Sequence, residues 1–276
     1  GHRMAKAGLE QALWDALAKA KGVSLSKMLG GVRDRVSVGV SVGLQASTDA
    51  LVRKVADHLA EGYGRIKIKI APGRDLDLVK ALRKEFPKIP LQVDANSAYE
   101  LSHAPIFKAM DGYGLLLIEQ PLSHEDIYDH SKLQKELKTP ICLDESIHSV
   151  ADARAGVELK SCRIINIKPG RVGGFSESIA IHDFCAAQGI PVWHGGMLES
   201  GIGRAGNVAL ASLPNFTLPG DISASRRYYK QDIVEPEFVL GPGSTMAVPT
   251  GPGIGVDVIP DRLERVTVRK QDYRSR

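Results

Sequence analysis

The chain has 276 residues, 36 basic against 32 acidic, a formal net charge of +4, and 43% hydrophobic and 25% charged residues. That composition is enough for one large α/β domain, while scattered basic residues and few aromatics exclude a nucleic-acid surface. No apolar run reaches the roughly 20 residues that span a membrane, and the charged N-terminus is not a secretion signal. Three cysteines without metal-ligand spacing, Cys142, Cys162 and Cys185, predict small buried thiols kept reduced in a cytoplasm.

In chain order, the periodicity first predicts a helix over residues 3–20 that buries Met4, Leu9, Leu13, Trp14 and Leu17 on one side. Eight short apolar runs follow as strand candidates, at 36–44, 65–70, 91–96, 115–121, 141–146, 163–170, 191–196 and 216–221. Amphipathic stretches such as 51–59, 76–86 and 176–188 separate them. Strands alternating with single helices predict a parallel sheet, and eight even repeats predict its closure into a barrel. Beyond Asp221, Pro and Gly clusters at 241–244 and 249–255 predict irregular chain that leaves the barrel and packs elsewhere.

The chemistry lies in the spacing of charges. Lys69, Asp94, Glu119 and Asp144 follow one another at intervals of 25 residues, and Lys168 follows at 24, each near the C-terminal end of a strand candidate. Side chains alternate faces along a strand. With the isoleucines of the 65–70 run toward the helices, Lys67 and Lys69 point inward; the same parity turns Asp94, Asn96, Asn166 and Lys168 inward. Five charges aimed at one rim are costly unless paired or functional. One reading is an ion-pair network that plugs the barrel. The other is an active site, which barrels carry at this C-terminal face. Asp94, Glu119 and Asp144 make a hard oxygen set suited to Mg²⁺ or Mn²⁺, with no Cys/His cluster to favour Zn²⁺. Such an ion polarises a substrate carboxylate and stabilises an enediolate. Lys69 and Lys168 flank the three metal strands, so one reaches each face of the substrate, and Lys67 beside Lys69 lowers the cost of a neutral base.

These motifs, the Lys-x-Lys core KIK (67–69), VDANSAY, IEQPL, CLDESI, NIKPGRVGG, GGMLESGIGRA and LPGDISAS, resemble the enolase superfamily, muconate-lactonizing subgroup, and most closely the o-succinylbenzoate synthase/N-acylamino acid racemase family. The resemblance spans nearly the whole chain. It implies a (β/α)7β TIM-type barrel with bases Lys69 and Lys168 and metal ligands Asp94, Glu119 and Asp144. It also implies substrate contacts at Ser41, Lys67, Asn96, Met197 and Leu198, with Glu145 and Asn166 supporting them from behind. The implied organisation is a helix at 1–32 linking to an N-terminal α+β capping domain that this chain lacks, a catalytic barrel at 33–222, and a C-terminal segment at 223–276 returning toward the cap. The partner is a small carboxylate substrate, and the chain is expected to form a homo-oligomer. The expected reactions are dehydration to o-succinylbenzoate and racemisation of N-acylamino acids. Dipeptide epimerisation, cycloisomerisation and an inactive ligand-binding barrel are the competing readings.

Two positions depart from the family pattern, which often has Cys at 194 and His at 206: here they are His194 and Gly206. His194 is expected as a packed, hydrogen-bonded histidine. Residues 201–206 also fit G-x-G-x-x-G, with Asp221 placed as the acid of a dinucleotide fingerprint. Their position in the seventh repeat favours a tight loop over the rim instead, its helix start free to donate N–H groups to a substrate oxygen.

Overall fold

Every apolar run from Val40 to His194 pairs in parallel with the next, in a computed structural model that describes residues 1–272. The helices are α1 (Arg3–Ala20), α2 (Leu25–Leu29), α3 (Thr48–Ala60), α4 (Leu76–Glu85), α5 (Ala104–Met110), α6 (Tyr128–Glu136), α7 (Val150–Glu158), α8 (Pro169–Val172), α9 (Phe175–Ala187), α10 (Gly201–Ala211) and α11 (Pro260–Val266). The strands are β1 (Arg35–Ser37), β2 (Val40–Val42), β3 (Ile66–Lys69), β4 (Leu91–Asp94), β5 (Ile118–Glu119), β6 (Ile141–Leu143), β7 (Ile164–Ile167), β8 (Val192–His194), β9 (Val234–Glu235), β10 (Thr245–Ala247) and β11 (Asp257–Val258). β2 through β8 form one curled seven-stranded parallel sheet in sequential order. Serine caps start the crossover helices: Ser47 accepts from Ala50 N–H at 3.1 Å and Ser149 from Asp152 N–H at 3.3 Å.

The alternation of side chains separates two apolar layers. Ile66, Ile68, Val93, Ile118, Leu143, Ile165 and Ile167 face the helices and share one core with Val55, Leu82 and Phe107. Leu117, Cys142, Ile164 and Trp193 form a second, inner layer against Leu218. Each of the first three stands two residues before Glu119, Asp144 or Asn166, so this layer floors the charged rim. Trp193 Nε1–H donates to Cys142 Sγ at 3.1 Å across it.

The expected strand at 36–44 is broken at Gly39. β1 turns away to pair antiparallel with β10 (Val36 opposite Met246), while β2 stays in the main sheet. The expected strand at 216–221 is not continuous either: it is held by single bridges, Val192 to Phe216 and Val38 to Gly220. Pro219 has no N–H to give a ladder. The segment still lies between β8 and the β1–β2 bend, with Thr217 N–H on Val192 O at 3.2 Å, Asp221 N–H on His194 O at 2.9 Å and Gly39 N–H on Gly220 O at 2.7 Å. The chain after Asp221 supplies β9, β10, β11 and α11, and it packs a separate apolar cluster of Val36, Val38, Val208, Val234 and Met246.

α1 corrects the burial expected from its sequence. Ala7 and Ala18 are buried and Trp14 is half-buried, but Leu9 is 78% exposed and Leu13 59%, with Met4 and Leu17 also exposed. A polar clamp sets this rotation. α9 begins at Gly174 with no capping side chain, and Glu10 supplies the cap, accepting from Phe175 N–H at 2.7 Å and Ser176 N–H at 2.9 Å. Residues 7, 10, 14 and 18 share one helical stripe, so Glu10 facing α9 turns Leu9, Leu13 and Leu17 outward. At Gly206 on α10 a β-carbon would lie 2.8 Å from Phe175 Cζ, so any larger residue there requires the ring to move. Glu10→Ala should lower unfolding free energy by about 1–2 kcal/mol in urea titration. Glu10→Gln, which keeps one acceptor, should recover part of the loss.

Candidate active site

The parallel register brings the predicted charges together. Lys69 pairs with Asp94 and Asp94 with Glu119 across β3, β4 and β5, while Ser41 lies beside Lys67 and Lys67 beside Gln92. Asp144 and Lys168 each follow the last residue of their strand, β6 and β7. Asp94, Glu119 and Asp144 are fully buried, Lys67 nearly so, and Lys69 and Lys168 reach the surface at the rim.

Each carboxylate is met by a cation. Lys69 Nζ donates to Asp94 Oδ2 at 2.6 Å and to Asn96 Oδ1 at 2.5 Å. Lys168 Nζ donates to Asp144 Oδ2 at 2.6 Å, and Arg171 Nη1 bonds the other oxygen of Asp144. Lys67 Nζ lies 2.8 Å from Glu119 Oε2, 3.1 Å from Asp94 Oδ2 and 2.5 Å from Asp221 Oδ2. Asn166 Nδ2–H donates to Glu119 Oε1 at 2.8 Å, and Asn96 Nδ2–H to Glu145 Oε1 at 2.8 Å. Gln120, in left-handed backbone at φ 37, accepts from Asp144 N–H at 2.9 Å and fixes that turn.

Burial and charge compete at every group. Burial pulls the Lys67 ammonium down, but Asp221, Glu119 and Asp94 more than reverse it, so Lys67 stays charged. For Asp94, burial is overcome by Lys67 and Lys69 and the carboxyl falls below its usual range; Asp144 falls likewise, through Arg171 and Lys168. Glu119 behaves oppositely: burial and then the Asp94 charge push it up to about 8, only partly offset by Lys67. Lys168 is raised, because Asp144 outweighs burial.

As the side chains stand, among the described residues no three His, Cys, Asp or Glu groups grip a common point; the lysines are interposed. The donor set nonetheless fits a hard divalent cation. It is oxygen only, it comes from three neighbouring strands, and the mutual repulsion that raises Glu119 is relieved by positive charge. Asn96 and Asn166 join the cluster, as does Glu145, whose buried Oε2 has no partner. Ser41 lies half-buried beside Lys67. Met197 is half-buried at the rim, where a β-carbon added at Gly170 would lie 3.9 Å from its sulfur. Leu198 is 71% exposed, and its carbonyl accepts from Tyr229 O–H at 2.6 Å. At the start of α10, Gly201 N–H donates to Asp232 Oδ1 at 2.8 Å. His194 is buried as expected, with Nδ1–H on Gly195 O at 2.5 Å, but its Nε2 has no partner.

Asp221 is the functional residue missed by the sequence reading, where it figured only as the acid of the dinucleotide pattern. It takes Lys67 on Oδ2 and Arg65 Nη1 at 2.7 Å on Oδ1. Arg65 reaches it because Gly39 has no side chain: a β-carbon there would lie 2.3 Å from Arg65 Nε. The parity that turns Lys67 and Lys69 inward also turns Arg65 inward, and that was the available signal. Lys67 and Arg65 hold the Asp221 carboxyl far below its usual range against burial. Its folded pKa is depressed, so the stabilisation is present above about pH 4 and is lost as pH falls toward the folded value. Asp221→Asn should therefore cost about 3 kcal/mol at neutral pH, the gap to the parent narrowing below about pH 4 in pH-resolved denaturation. Gly39→Val should cost a similar amount, and the double variant should lose less than the sum.

Residues 50–262 match the family model "Enolase C-terminal domain-like", and residues 1–30 match "Mandelate racemase / muconate lactonizing enzyme, N-terminal domain". The first thirty residues, read above as a linking helix alone, thus carry N-terminal-domain sequence. An o-succinylbenzoate synthase of Bacillus subtilis (strain 168) is 57% identical over 272 residues, 99% of this chain and 72% of that protein. An N-succinylamino acid racemase of Amycolatopsis sp is 56% identical over 271 residues, 98% of this chain and 73% of that protein. The crystal structure of an enolase superfamily member from Listeria innocua superposes with a TM-score of 0.92 at 48% identity, covering 96% of this chain and 71% of that one. An L-Ala-D/L-Glu epimerase of Bacillus subtilis is more distant, at 29% over 263 residues, 93% of this chain and 71% of that protein.

Proposed function

The chain belongs to the enolase superfamily, and from that premise we propose that it is a divalent-metal-dependent enzyme that removes the proton α to a carboxylate. Its reactions are the dehydration that yields o-succinylbenzoate, in menaquinone synthesis, and the racemisation of N-succinylamino acids. The observation that carries this reading is the pair of lysines at the two ends of a three-carboxylate row, Lys69 against Asp94 and Lys168 against Asp144.

Asp94, Glu119 and Asp144 would hold Mg²⁺, and the ion would supply positive charge to the substrate carboxylate as negative charge grows on it. Lys67, kept as an ammonium by three carboxylates, adds a fixed positive charge beside the same oxygens. Lys69 takes the α-proton on one face. In the dehydration Lys69 passes that proton to the departing β-hydroxyl, which leaves as water, while Lys168 stays protonated and balances the developing charge; in the racemisation Lys168 returns a proton to the opposite face. Asn96, beyond β4, orients Lys69 and is itself held by Glu145, beyond β6, and Asn166 holds Glu119. Met197 and Leu198 lie on the side of the pocket that takes the acyl group, and Ser41 is a substrate contact.

The curled sheet is, in this reading, a (β/α)7β barrel whose eighth stave is the bridged segment 216–221. Residues 33–222 make the catalytic domain, flanked by the helical residues 1–32 and the returning segment 223–276. The protein works in the cytoplasm, where Cys142, Cys162 and Cys185 stay free thiols, and it assembles with copies of itself. No helix among the described residues is long and apolar enough to cross a membrane. Identity near 56% to a synthase and a racemase, against 29% to a dipeptide epimerase, favours the succinyl substrates over dipeptides.

Lys69→Ala and Lys168→Ala should each lower turnover of an N-succinylamino acid by at least about 10³-fold, with little change in substrate binding, in polarimetric assays with Mg²⁺. Chelation should abolish both reactions and Mg²⁺ restore them. Efficient turnover of dipeptides with none of succinyl substrates would contradict the assignment.

A further inference from the structure

Away from the charged rim, a cavity of about 400 Å³ runs along the seam where segment 216–221 meets β1 and β8. Its polar lining is Arg33, Arg35, Ser37, His194, Thr217 and Thr245, among apolar walls, with no aspartate or glutamate. Both arginines are half-buried. Among the described residues, the arginine ion pairs belong to Arg65, Arg171 and Arg262 instead. Arg33 spends two N–H groups on the carbonyls of Leu213 and Pro214, and Arg35 one on Thr245 Oγ1 at 2.8 Å. Each guanidinium has five N–H donors, so most of Arg35's fork is unused. Ser37 and Thr217 add two hydroxyls.

His194 completes the set from the buried side. It is 1% exposed, and its Nδ1 bonds a carbonyl, which only accepts, so Nδ1 carries the proton and Nε2 is a bare acceptor. That Nε2 is buried and without a partner. A buried acceptor left open costs about 1–3 kcal/mol, so a group that donates to it has a driving force to bind. Two guanidinium groups ask for an anion; the imidazole asks for a hydroxyl proton on the same ligand.

We propose that this cavity binds inorganic phosphate as a protonated oxyanion. Arg33 and Arg35 take its charged oxygens, and His194 Nε2 accepts from its P–OH. Sulfate has the same shape and charge but no proton at neutral pH, so it leaves Nε2 open. The ligand ties β1, β8 and the 216–221 segment where isolated bridges replace a continuous ladder, and it touches Gly220, next to Asp221. Occupancy thus stiffens the segment that positions Lys67.

Calorimetric titration of the Mg²⁺-loaded chain near pH 8, where inorganic phosphate is mainly the dianion that still carries one P–OH and a phosphate monoester has lost its last proton, tests this at constant ionic strength. Inorganic phosphate should bind about tenfold tighter than sulfate or methyl phosphate, whose dianion has no proton. Arg35→Gln should weaken phosphate and sulfate alike. His194→Phe should erase the preference for phosphate and leave sulfate unchanged. If that variant does not fold, the Nε2 nitrogen resonance of His194 in the parent should shift with phosphate and stay fixed with sulfate. Equal affinity for phosphate and sulfate, no affinity for either, or phosphate binding that survives Arg35→Gln would overturn the proposal.

Discussion

The ammonium of Lys67, buried among Asp94, Glu119 and Asp221, is the contact on which the rest of the structure depends. Three carboxylates from three separate segments cannot share a water-poor floor without it. The same nitrogen joins β4 and β5 to the segment after β8, so it links the row of acids to the weakest backbone seam of the sheet. Arg65 supports it from behind, through a gap that exists because residue 39 is glycine. The apolar layer of Leu117, Cys142, Ile164, Trp193 and Leu218 closes the space below and keeps these charges at low dielectric, where their mutual attraction is strong.

This arrangement divides the lysines by role. Lys67 is enclosed and held as a cation, a fixed part of the electrostatic frame. Lys69 and Lys168 stand at opposite ends of the acid row and retain some exposure, 29% and 16% of their side chains. They can reach a ligand; Lys67 cannot leave its acids. In the proposed reaction, that difference is what assigns Lys69 and Lys168 to proton transfer and Lys67 to charge stabilisation, without reference to their order in Lys-x-Lys.

Much of this was legible from spacing, because a strand repeat near 25 residues and a side-chain period of two leave little freedom for Lys69, Asp94, Glu119, Asp144 and Lys168. Three features were not. Asp221 follows Pro219 and Gly220 in a segment with no regular ladder, so strand parity gave no handle on it. The outward turn of Leu9, Leu13 and Leu17 depends on Glu10 capping a helix 165 residues away, a long-range contact that outweighs local amphipathicity. Leu198 was carried over by motif, yet the loop holds its side chain in solvent and only its backbone is bonded. Local pattern served where a repeating element set direction, and it failed where one distant polar contact did.

The central claim is that Lys69 and Lys168 act on opposite faces of one substrate. Incorporation of deuterium at the α-carbon, followed by NMR separately from each enantiomer of an N-succinylamino acid in D₂O with Mg²⁺, tests it most directly. The account predicts that Lys69→Ala stops exchange from one enantiomer and Lys168→Ala stops it from the other, each variant sparing the opposite hand. Exchange from both enantiomers in either variant, or loss from the same enantiomer in both, would contradict it.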